Sequence, residues 1–71
     1  MFRIEIRTSG AAFCNPVSGE PERVFEFLEV DRILRQISSR FLQGENGGNI
    51  IDTNGNVCGG WVRDEPDEDP V

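Results

Sequence analysis

The sequence predicts a two-layer α+β domain in which one helix lies on one face of a three-stranded sheet, in the order β-α-β-β. Three observations predict it. Residues 26–43, EFLEVDRILRQISSRFLQ, carry apolar side chains at helical spacing. Residues 2–8, FRIEIRT, alternate apolar and polar. Two short apolar runs near the end flank Asp52-Thr53-Asn54-Gly55, the composition of a hairpin turn.

The first strand places Phe2, Ile4 and Ile6 on one side and Arg3, Glu5 and Arg7 on the other, the period-2 pattern of a strand with one wet face. Residues 9–23 break that pattern with Gly, Pro, Ser and Asn and read as a long loop. Within it the apolar Ala11-Ala12-Phe13-Cys14 is expected to tuck back on the core, and Asn15-Pro16 to make a turn.

In the helix, Val30, Ile33, Leu34, Ile37 and Phe41 form the apolar stripe, extended by Phe27. Arg32, Arg35, Gln36 and Ser39 are expected to be wet. Early acids and late bases suit the helix dipole. Gly44 is placed to end the helix in the left-handed conformation, and an earlier turn over residues 21–25 is expected to lead into it.

A flexible link over residues 45–48 then leads to a strand at 49–53, the turn, and a strand at 57–63. Asn54-Gly55 reads as a two-residue turn, or Thr53-Asn54 as a turn with Gly55 left-handed. Gly59-Gly60 predicts a bulge or a close backbone approach. Until these are settled, the faces of Ile50, Ile51, Cys58 and Trp61 stay open. The sheet is expected to be antiparallel in order 1-3-2, with parallel pairing of the first two strands as the alternative. One domain, residues 1–63, precedes an acidic tail, residues 64–71, expected to be disordered.

Seventy-one residues bury little apolar area, so a homo-oligomer or a bound partner is expected to add stability. The start reads as a strand and not as a signal peptide, and no apolar run approaches the roughly 20 residues of a membrane span. The expectation is a cytosolic protein. Cys14 and Cys58 are too few for a disulfide framework or a zinc site. They are expected to be reduced there, a single Cys14–Cys58 bridge being the alternative.

The chain has neither His nor Tyr, which removes the commonest general base and any Ser-His or Cys-His nucleophile pair. No glycine-rich phosphate loop is present. Asp52-x-Asn54-x-Asn56 matches the opening of a calcium loop, but Val57 and Arg63 stand where Gly and Glu are required. The reading is therefore a protein that is not an enzyme, with no cofactor and no metal. A net charge of −6 argues against direct nucleic-acid binding.

Two candidate sites follow. Asp64, Glu65, Asp67, Glu68 and Asp69 form an acid cluster able to occupy a basic groove on a partner protein. All seven bases are Arg. In an oligomer, Arg3, Arg7, Arg32 and Arg35, with Trp61, could line a pocket for a phosphate-bearing nucleotide.

The opening FRIEIRTSGAAF, the helix segment EVDRILRQI and the closing DTNGNVCGGW together resemble a group of short bacterial and bacteriophage proteins. These share an Ala-Ala-Phe turn after the first strand and a D-x-N-G-N-x-x-G-x-W hairpin. Residues 14–25 and the tail lie outside the resemblance, and no catalytic residue comes with it. It implies a phage or prophage accessory protein. The expected activity is stoichiometric inhibition of a host antiviral defence component by protein–protein contact, as in an anti-CRISPR. The alternatives are an oligomeric sponge for a nucleotide immune signal and a general interaction domain.

Overall fold

The computed structural model describes residues 1–64. Four elements run in the order β1 (Phe2–Ile6), α1 (Arg23–Leu42), β2 (Gly47–Ile51) and β3 (Val57–Arg63), with a 3₁₀ turn, Ala11–Phe13, between the first two. The sheet has the order β1-β3-β2 and both pairings are antiparallel. This is the two-layer α+β arrangement that the sequence predicts. No helix among the described residues is long and apolar enough to cross a membrane.

The helix begins at Arg23, after the extended Glu22, so the turn before residue 26 is part of it. It ends as Gly44 predicts. The Gly44 N–H donates to Phe41 O and the Glu45 N–H to Arg40 O, with Gly44 at φ +98°. This paired bonding closes the last turn, and Gly takes the left-handed backbone at little cost.

The second strand lies two residues earlier than the expected 49–53, and the first stops at Ile6 instead of Thr8. Gly47 and Gly48 pair with Val62 and Trp61 instead of forming a link. Their strand role comes from tertiary packing, which propensity does not register. A Cβ on Gly48 would lie 2.6 Å from Arg40 Nη2, so Gly48 leaves room for that guanidinium. Thr53 drops out because Asp52 closes the turn, the Gly55 N–H donating to Asp52 O at 2.9 Å with Gly55 at φ +87°.

In β3, Ile50 faces Gly59 and Ile51 faces Val57, so Cys58 is an extra residue. This bulge turns both Cys58 and Trp61 toward the helix. A Cβ on Gly59 would collide with Glu5 O of β1, so Gly59 makes the close backbone approach.

The core comprises Phe13, Ile33, Ile37, Ile50, Cys58 and Trp61. The Ala11–Phe13 turn carries Phe13 into it, as its apolar character implies. The expected helix stripe divides. Ile33 and Ile37 are buried and Val30 packs beside them, but Phe27, Leu34 and Phe41 are 59%, 44% and 38% exposed. A three-stranded sheet is too narrow to cover so broad an apolar face. Arg32, expected to be wet, is half-buried because Glu29 draws it against the hairpin.

Candidate functional site

An open cleft of about 580 Å³ lies between the 3₁₀ turn, the first half of α1 and the hairpin tip. Ala12, Cys14, Phe25 and Leu28 give it apolar walls, and Glu29 and Arg32 form part of its polar lining. The wall opposite the helix owes its shape to residues 14–21. Asn15 Oδ1 accepts from the N–H groups of Val17 and Ser18, and the Asn15 N–H donates to Glu20 O. Asn15-Pro16 thus makes the expected turn, held by a side chain that mimics backbone.

Glu29 is buried and accepts three hydrogen bonds. Arg32 Nε and Nη2 donate to it at 3.1 and 2.7 Å, and the Thr53 N–H at 2.9 Å. Arg32 Nη2 also donates to Ile51 O at 3.1 Å. One carboxylate therefore joins the helix to the hairpin. Asp52, also buried, accepts through Oδ1 from the N–H groups of Asn54 and Asn56, each at 2.9 Å. Residues 52–56 thus form the hairpin turn, and among the described residues no group of three acidic, Cys or His side chains could hold a metal ion.

Charge follows from this packing. The hydrogen bonds that Arg32 donates to Glu29 raise its pKa above the ordinary value, with the charges of Glu29 and Asp52 adding to it. Burial, reinforced by the Asp52 and Glu29 carboxylates, pushes the Cys58 thiol up. A thiol held protonated is a poor nucleophile. Both cysteines are free, and Cys14 Sγ lies 3.5 Å from Gly10 O.

The arginine set is not gathered within one chain. Arg3 and Arg7 belong to the sheet side away from the helix, Arg7 Nη2 donating to Val57 O at 3.0 Å. Arg32 lies under the cleft. Arg35 is exposed on the helix and pairs with Asp31 at 3.0 Å. Trp61 is buried in the core, with Arg40, not one of the set, 6.0 Å from its ring.

Of the acid cluster, Asp64 exchanges backbone hydrogen bonds with Met1, at 2.6 and 2.8 Å. Glu65, Asp67, Glu68 and Asp69 lie outside the described residues. Neither Glu29 nor Asp52 is among the site residues that the sequence predicts, Asp52 being read only as part of the turn. A signal for Glu29 was present, since Glu29, Ile33 and Ile37 lie at i, i+4 and i+8 on one helix line. An acid in register with core residues requires a partner.

No protein-family model, no curated protein and no solved structure matches the chain.

Proposed function

We propose that the chain is a non-enzymatic binding protein that acts by one-to-one contact with another protein. In the setting its sequence resemblance suggests, it is a phage or prophage accessory protein. It inhibits a host antiviral defence component in the host cytosol, in the manner of an anti-CRISPR. The observation that carries the contact reading is the cleft. Its walls are apolar, while Glu29 directs both oxygens, and Asp52 its Oδ1, at donors of the chain itself. Such a surface suits recognition of a projecting apolar side chain, with polar groups fixing shape more than reacting. The net charge of −6 favours a partner with a basic surface, as a nucleic-acid-gripping effector has.

The test is to express the chain in bacteria carrying a panel of defence systems and to measure phage plating. Wild type is expected to restore plating against one system, and Leu28→Asp, at a wall position 61% exposed, to lose that effect while folding normally. Plating that stays blocked across the panel would end the counter-defence reading. Restoration unaffected by Leu28→Asp would move the contact away from the cleft.

A further inference from the structure

The side of the molecule away from the cleft carries a second surface. Strand β1 is an edge strand. Met1 O accepts from the Asp64 N–H and the Arg7 N–H donates to Cys58 O, so the odd-numbered residues of β1 turn their backbone groups to β3. Phe2, Ile4 and Ile6 turn theirs to the open edge. The helix leans the other way: Arg32 and Arg40 donate to carbonyls of Ile51 and Asn49 in β2. Its opposite flank overhangs β1, where Phe41 packs edge-on to Phe2 at 5.3 Å. Phe27, Leu34 and Phe41 recur on that flank every seven residues and stay partly exposed, as does Phe2 beneath them.

We propose that this side is a homodimer interface. Two copies join β1 to β1 antiparallel about Ile4 and pack their α1 flanks antiparallel about Leu34, giving a six-stranded sheet under two helices. Charge complementarity selects a second copy as the occupant. With Ile4 opposite itself, Arg3 of each copy lies opposite Glu5 of the other, on the sheet face away from the helices. Opposite charges directly across strands stabilise, and like charges destabilise. Among the described residues Arg3 reaches only as far as the Met1 sulfur, at 3.8 Å, and Glu5 makes no ion pair.

The helix flanks meet through their apolar stripe, since Arg32 and Arg40 are turned to β2 and Glu29 to the hairpin. One twofold axis serves both contacts. Phe2 and Phe41 touch, and from there Leu34 lies about 10 Å back along the helix and Ile4 about 7 Å along the strand. Pairing also covers the unpaired edge, which otherwise invites aggregation.

Sedimentation velocity on the full chain tests the proposal. The expected species has a mass near twice the 8.0 kDa of one chain. Arg3→Glu sets Glu against Glu and Glu5→Arg sets Arg against Arg. Each is expected to weaken self-association about tenfold. An equimolar mixture of the two variants restores complementary pairs and is expected to return to wild-type strength, which a folding defect could not do. Leu34→Asp should weaken association about a hundredfold with unchanged circular dichroism. A chain that stays monomeric at every concentration would overturn the proposal, as would a dimer indifferent to all three changes. A monomer that captures an extended peptide along β1 would also overturn it, assigning the edge to a different protein.

Discussion

At the hairpin end of the helix–sheet interface α1 is tied down by directional bonds to a buried carboxylate, and at the other end mainly by rings, with one bond from Arg40 to Asn49 O. Near the hairpin, Glu29 bridges Arg32 and the Thr53 N–H, and Arg32 reaches Ile51 O. Near the helix C-terminus, Phe2 stacks on Trp61 at 5.7 Å and meets Phe41 edge-on at 5.3 Å. The guanidinium groups of Arg40 and Arg63 lie 6.0 and 5.8 Å from the Trp61 and Phe41 rings. The two ends should fail differently. Removing one member of a buried bonded set strands its partners without hydration, whereas an aromatic cluster loses stability with the area removed.

The aromatic end carries the largest expected effect. Trp61→Ala should destabilise by about 4 kcal/mol, through lost burial and the cavity left behind, read from the denaturant midpoint. Trp61→Phe sharpens the point. The buried Trp61 Nε1–H finds no acceptor among the described residues, so the phenyl ring removes an unsatisfied donor along with some area. Its expected loss is about 1 kcal/mol, within the usual range of volume-changing core swaps. A loss equal to that of Trp61→Ala would show that the indole N–H itself is needed.

At the directional end, Glu29→Ala should cost about 3 kcal/mol, because it leaves Arg32 and the Thr53 N–H facing the space that the carboxylate filled. Combining it with Arg32→Ala should cost clearly less than the sum of the two single changes, since each removes the other's partner. Additive losses would break the contrast between the ends. Asp52→Ala follows at about 1 to 2 kcal/mol, for two turn N–H groups losing one acceptor. Its thermal midpoint should fall without a change in helix content, because the turn lies outside α1.

The parts of the fold legible in the sequence are those that rest on local chemistry. Alternation in FRIEI, the Gly44 stop and the Gly55 turn each follow from a residue's own backbone or side-chain preference. What could not be read depends on contacts between distant residues. Gly48 reads as a linker residue until Arg40 is seen to occupy the place of its side chain. The helix stripe reads as a single core face until the narrow sheet is seen to cover Ile33 and Ile37 but not Phe27 and Leu34. The cleft was hidden for the same reason, since its walls come from three separated segments. Charge counting ranked the tail acids above Glu29, although Glu29 has the tertiary partners that place it at the centre of the site.

Cys58 lies at the hairpin end of β3 and gives the smallest effect, one that only pH reveals. Its folded-state pKa is raised above the ordinary 9.0, first by burial and then by Asp52 and Glu29. Above that ordinary value the unfolded thiol releases its proton while the folded one retains it. The folded state then binds more protons, and stability falls as pH rises. Below the ordinary value both states are protonated and the thiol contributes no slope. Arg32, its pKa raised above the ordinary guanidinium value, stays charged through this window and does not mimic the effect. Unfolding free energy measured from pH 8 to pH 10 should therefore decline above about 9, the usual thiol range, and Cys58→Ala should flatten the decline. Labelling at mild alkaline pH gives the matching readout: half-buried Cys14 should react in the native protein, and buried Cys58 only after denaturant is added. Equal labelling of the two would mean that the Cys58 environment opens readily, and the decline should then be absent.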